Sequence, residues 1–191
     1  MNKSIIAEYI QINLEHYGNY HNYKENMSNA GFLVQLTLFG SIVSEGLWPP
    51  SWVEEMFSMP KIMTFLVYFL LWFLIHYYTR WQLINKRVAA FYVSGYMRAH
   101  QKIIVTEGDV DITPYAKKLN KSSKWKNFFS KIVFIPGGFT KMDVDIQGIP
   151  SFVAKEIESA FSKGSGAETL EVLITYTSIL LMTIVSIKIF T

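Results

Sequence analysis

The stretch from Pro60 to Trp81, PKIMTFLVYFLLWFLIHYYTRW, leaves this chain few ways to fold. No charge occurs between Lys61 and His76, and between Phe65 and Ile75 nothing is more polar than Tyr68. A helix rises ~1.5 Å per residue and the hydrocarbon core of a bilayer is ~30 Å thick, so the run predicts a transmembrane helix. A soluble protein of 191 residues could hardly wrap a helix that is apolar all round. Composition agrees: 50% of the residues are hydrophobic and 16% aromatic, which suits a membrane protein better than a soluble domain. Cysteine is absent, and that excludes disulfides, thiolate metal sites, iron–sulfur clusters and cysteine nucleophiles.

Two other segments are long enough to cross. Ala30 to Trp48 is one, and its polar residues Thr37, Ser41, Ser44 and Glu45 share a helical face. Thr169 to Phe190 is the other, with Glu171, Thr175, Ser178, Met182 and Ser186 at helical spacing and Lys188 placed to snorkel. In lipid such stripes must face other helices or water, so they serve either bundle packing through small hydroxyl residues or the lining of an aqueous path. The economical arrangement turns Pro60 to Trp81 toward lipid and the other two spans inward. Three helices enclose little, which implies a homo-oligomer or a partner.

Charge sets the expected orientation. The connection from Gly46 to Met59 carries Glu54 and Glu55 and no basic residue; Trp48 and Trp52 suit interfacial anchors, and Ser51 to Glu54 has the form of a capping box opening a short surface helix. Arg80, Lys86, Arg87, Arg98 and Lys102 follow the Pro60 span with no acid before Glu107. The positive-inside rule therefore puts Arg80 onward and the N-terminus in the cytoplasm, and the C-terminus outside, in a bacterial inner (plasma) membrane.

The polar segments fill in around this frame. Residues 1–29 lack the features of a signal peptide; Ser4 to Leu14 reads as a helix with one buried side that Gly18 and Asn19 interrupt, followed by an interfacial patch of His16, Tyr17, Tyr20, His21 and Tyr23. The helix after the Pro60 span continues through Trp81, Ile84, Val88, Phe91 and Tyr92. Lys102 to Val105 and Asp109 to Thr113 then read as short strands, and Lys131 to Ile135 with Phe139 to Ile146 as a hairpin turned at Pro136-Gly137-Gly138. Asp-Val-Asp-Ile occurs at Asp109 and again at Asp143. Pairing of those strands would cluster four carboxylates that need lysines or a divalent cation, whereas acids on the wet face of a sheet need no ligand, and no cofactor is expected. Pro150 to Lys163 reads as an amphipathic helix ended by Gly164-Ser165-Gly166.

Tyr115 to Lys131 is basic and aromatic, and Lys117, Lys118, Lys121, Lys124, Trp125 and Lys126 form a candidate contact for membrane lipids or a protein partner. Nucleic acid is the less favoured ligand beside a bilayer, and a solvated basic loop is the commonest fate of such a run. The fold expected is a mainly α integral membrane protein with three transmembrane helices and a small α+β cytoplasmic domain between the second and third. Its divisions are 1–29 (interfacial helix), 30–81 (two-helix hairpin), 82–166 (α+β domain) and 167–191 (third span).

Enzyme chemistry finds no support. His16, His21, His76 and His100 lack HExxH spacing and read as interfacial where they flank a span; neither a G-x-S-x-G turn nor a glycine-rich dinucleotide turn occurs. The approach Tyr20-His21-Asn22-Tyr23-Lys24-Glu25, the two spans after it and the basic helix Trp81 to Arg98 give a layout that resembles the small bacterial SLATT-type membrane effectors. It covers about half the chain; the segment Lys102 to Gln147 and the third span depart from it. The resemblance implies a membrane-disrupting effector in antiviral defence. With the hydroxyl stripes, it gives a signal-gated pore-forming or membrane-disrupting protein as the leading expectation and an accessory subunit of a larger membrane complex as the rival.

Overall fold

The computed structural model describes residues 3–43, 55, 59–105, 110–116, 119–120, 143–163 and 168–191. Four long elements carry the fold among these: α1 (Lys3–Val43), α2 (Lys61–Val105), α3 (Ser151–Lys163) and α4 (Glu168–Phe190). Helices α1 and α2 run antiparallel along most of their lengths, so that Ile6 and Ile10 join a core with Ile103 and Ala99 at one end while Phe39 meets Tyr68 at the other. Helix α4 lies against the end containing Phe39 and Tyr68, and α3 packs on α2 at the other end.

The bundle thus has an apolar half and a polar half, each with its own core. Phe39, Ile42, Tyr68, Trp72, Met182, Val185 and Ile189 fill the first. Phe65 of α2 meets Phe190 of α4, and the Lys61 ammonium donates to the Phe190 carbonyl at 3.3 Å, which closes the last turn of α4 onto the start of α2. In the second core Tyr17 stacks on Tyr92 at 4.3 Å, Phe91 meets Phe161 edge-on, and the Tyr92 hydroxyl donates to the Asp145 carbonyl. Burial raises the Tyr92 and Tyr96 hydroxyl pKa values well above the ordinary tyrosine range, the neighbouring tyrosines adding to it, so both stay neutral.

The start of α3 shows how a helix end is satisfied without a polar cap residue. Its first amides, those of Ser151 and Phe152, donate at 2.8 and 2.9 Å to the carbonyls of Thr113 and Asp111. Gly148, with φ of 77°, turns the chain into this docking in a conformation that disfavours a side chain. The Asp111 carboxylate accepts from the Thr113 hydroxyl at 2.6 Å and amide at 3.1 Å; these bonds, with Ser151 and Lys155, hold its pKa down to about 2.

Three expectations need correction. Among the described residues two helices, α2 and the stretch Thr169–Phe190 of α4, are long and apolar enough to cross a membrane, and this replaces the three-span fold. Gln35, Thr37 and Ser41 dilute the apolar character of α1, whose described part ends at Val43; Ser44 to Trp48 lie outside the described residues. Nor do the described residues form an α+β domain. Lys102 to Val105 is the last turn of α2, and the strand content among the described residues is a two-residue antiparallel pair, β1 (Leu119–Asn120) with β2 (Asp143–Val144), plus one bridge between Pro114 and Pro150. Leu119 and Val144 enter the polar core as its lining rather than as part of a sheet. Finally, α1 does not break at Gly18 and Asn19, because pairing with α2 holds the helix through them.

The proposed hairpin at Pro136-Gly137-Gly138, the surface helix at Ser51 to Glu54, the joint Gly164-Ser165-Gly166, Asp109 and the lysines of the run Tyr115 to Lys131 lie outside the described residues. The two Asp-Val-Asp-Ile segments do not pair with each other where they are described: the partner of Asp143 is Asn120.

Candidate functional site

Where the two halves meet, the bundle buries charge. Arg80, Lys86 and Arg87 of α2 and Glu171 of α4 are all less than a tenth exposed. A helix that leaves an apolar environment ordinarily turns its lysines and arginines to water, yet these cations lie between helices. The Arg87 guanidinium stands 3.8 Å from the Glu171 carboxylate, and the Lys86 ammonium contacts Glu25 of α1 at 2.6 Å. Each pair joins α2 to a different neighbour, so three helices are tied at one level.

From this ionic junction a polar seam descends into the apolar half. One turn below Glu171 lies Thr175, 1% exposed, and next comes Ser178, fully buried. The Ser178 hydroxyl lies 3.0 Å from His76 Nδ1 and accepts from the Trp72 indole N–H at 3.0 Å; the same N–H reaches the Ser178 carbonyl at 2.9 Å. Trp72 and His76 are stacked at 5.0 Å, fixing both rings against α4. Across the bundle, Thr79 donates to the Ile75 carbonyl at 2.8 Å and packs on Gly31, where a Cβ would stand 2.4 Å from its hydroxyl oxygen. Gln35 is fully buried, and its amide finds no hydrogen-bond partner among the described residues.

The structure therefore divides the sequence-derived residues. Glu171, Thr175 and Ser178 meet in the seam, while Ser186 is half-buried and donates to the Met182 carbonyl at 2.7 Å. Thr37 is exposed, and the Ser41 hydroxyl donates to the Leu38 carbonyl at 3.0 Å. Ser44, Glu45, Lys117, Lys118, Lys121, Lys124, Trp125 and Lys126 lie outside the described residues. Sequence reasoning missed His76, Arg80, Lys86 and Arg87 as interior groups. His76 is 2% exposed rather than interfacial. A signal existed in the i, i+4 spacing of Trp72, His76 and Arg80, which sets the three along the buried side of α2.

The Glu25 to Lys86 contact gives a prediction. The hydrogen bond from Lys86 is the largest influence on Glu25 and, with its charge, holds the carboxyl pKa below the usual range. A carboxyl depressed in the folded state stabilises it above the unfolded pKa of ~4.3 and loses that contribution as pH falls through the lower folded value. Since the Glu25 side chain is 35% exposed, solvent screening limits the effect to about 1 kcal/mol. Thermal unfolding of the detergent-solubilised chain from pH 6 to pH 3 is expected to show a Tm decline below about pH 4.5 that is smaller in Glu25→Gln. Equal declines in both proteins would contradict the assignment.

No known protein family, curated protein or solved structure matches this chain.

Proposed function

We propose that this chain is a signal-gated membrane effector of the bacterial inner membrane, with a polar half in the cytoplasm that receives a signal or partner and an apolar half that permeabilises or disrupts the bilayer. The observation that carries the reading is the seam from Glu171 to Ser178. Ionisable and hydroxyl groups inside an apolar bundle are costly, and where they persist they generally line ion or proton paths or act as switch contacts. Here they are covered within a single chain, as in a closed state, and the Arg87 and Lys86 ion pairs hold the cover at its cytoplasmic end. A partner binding the polar half can pull α1 or α4 from α2 and bring the seam to water. Positive residues clustered after the first crossing favour the polar half inside, and the likeness of the Tyr20 to Glu25 approach and the basic helix Trp81 to Arg98 to SLATT-type effectors favours antiviral defence as the setting.

Liposomes loaded with a self-quenching dye test this. Wild-type protein is expected to leak slowly and Glu171→Gln several-fold faster, because the seam loses its fastening. Vesicles as tight as protein-free controls with both proteins would reject permeabilisation.

A second reading, an accessory subunit of a larger membrane assembly, draws on the water-exposed apolar end of α2, where Ile104 and Val105 are 72% and 80% exposed. A closed homo-oligomer in detergent supports the effector, and a monomer stable only beside other chains supports the subunit.

A further inference from the structure

An apolar groove of about 380 Å³ runs along the outer seam between α1 and α2, lined by Met27, Gly31 and Val34 on one side and Leu74, Ile75 and Tyr78 on the other. Its floor exists because residue 31 is glycine: a Cβ there would strike the Thr79 hydroxyl. The walls are held by the helices' own contacts, among them the Tyr78 hydroxyl on the Met27 sulfur at 3.6 Å. The volume falls within the range of ~300–1,000 Å³ typical of ligand pockets.

What lies at its end identifies the occupant. Lys24, Met27, Gly31 and Val34 follow i, i+3, i+7 and i+10 spacing and so form one stripe of α1; Leu74, Tyr78 and Trp81 form the facing stripe of α2. At the polar end the Lys24 ammonium sits 5.1 to 5.5 Å from the ring centroids of Tyr20, Tyr23 and Trp81. Tyr23 and Trp81 are more than half exposed, an arrangement of cation and aromatic rings suited to the headgroup level. From Lys24 to Val34 the helix rises ~15 Å, half of a ~30 Å hydrocarbon core and hence one leaflet.

We infer that this groove binds one acyl chain of an anionic phospholipid from the leaflet facing the polar half, with the headgroup phosphate on Lys24. A greasy channel one leaflet long, closed at the headgroup level by a cation within aromatic rings, matches such a lipid in both tail and charge. A helix from a second copy would fill the apolar length but would leave Lys24 without an anion. The inference rests on the membrane reading above but not on permeabilisation.

The test uses the full chain purified in mild detergent and native mass spectrometry with added phosphatidylglycerol or phosphatidylcholine. Wild type is expected to retain phosphatidylglycerol preferentially. Lys24→Glu is expected to weaken that retention about fivefold or more, while leaving phosphatidylcholine retention unchanged. Ala30→Phe, at an exposed position that itself lines the groove, is expected to block retention of both, with Tm and dye leakage near wild type. A phosphatidylglycerol carrying a photoreactive acyl chain should label peptides containing Met27 to Val34. Retention unchanged in both variants, labelling elsewhere, or crosslinks joining Met27 to Val34 of two copies would overturn the inference. Lost retention with normal leakage, or the converse, separates the fate of this site from that of the proposed function.

Discussion

Glu171→Gln is expected to destabilise the folded chain by up to about 3–5 kcal/mol, the cost of removing the carboxylate that faces a buried cation. The argument is one of burial. Glu171 is 2% exposed and Arg87 is 4% exposed, so water cannot take over the role of the lost carboxylate, and Arg80 also lies within reach of the Glu171 charge. The ion pair itself is a separate matter: desolvating both groups offsets most of their attraction, and an apolar replacement of the whole pair can be neutral or stabilising. Arg87→Met combined with Glu171→Leu is therefore expected to recover most of the stability lost in either single variant. Unfolding followed by circular dichroism in detergent, carried through the full double-mutant cycle, measures both quantities. A single variant within about 0.5 kcal/mol of wild type would remove the junction from the account.

Gly95→Ala is the second large effect expected. At Gly95, α2 comes so close to α3 that a Cβ would lie 2.3 Å from Ile157 Cγ1, 2.7 Å from Ile157 Cα and 2.8 Å from its amide nitrogen. A side-chain clash can be relieved by a rotamer change, but two of these three contacts are backbone. Helix α3 must move as a unit, and overpacking of this kind costs about 1–3 kcal/mol or more. Hydrogen exchange is expected to show lost protection across α3 with α2 and α4 little changed in the apolar half. Adding Ile157→Ala should restore only part of it, because trimming the side chain leaves the backbone contacts. Unchanged protection of α3 in Gly95→Ala would contradict the close approach.

How much of this was legible in the sequence follows from which forces are local. The apolar run after Pro60 and the hydrophobic tail after Thr169 announce themselves, since length and lack of charge suffice. The amphipathic α3 was equally plain, its apolar residues Val153, Ile157, Ala160 and Phe161 falling on the buried side. Lys102 to Val105 read as a strand through its adjacent Ile and Val, but Ala99 and Ile103 share a helical spacing that points both into the core, and packing overrode local preference. Gly18 read as a break because glycine is a poor helix former in isolation; a partner along the opposite face makes that cost affordable. The site was the least legible part. The stripe on α4 was visible, but its counterparts were not: Ser178 is separated from His76 by 102 residues and Lys86 from Glu25 by 61, and spacing rules do not reach that far. The basic residues after Trp81 bear on orientation through a rule that concerns which side of a membrane they occupy and not whether they are buried.

The unbroken course of α2 has a mechanical corollary. At 45 residues it is a rod of ~67 Å, more than twice the thickness of a hydrocarbon core. Rocking such a rod by ~10° about its midpoint swings either tip through ~6 Å without melting a single turn. One extra residue inserted near Ile84 would rotate the two ends by ~100° relative to each other, so the faces that now meet α3 and α4 would fall out of phase. Torque, as much as displacement, can travel from one end of this molecule to the other.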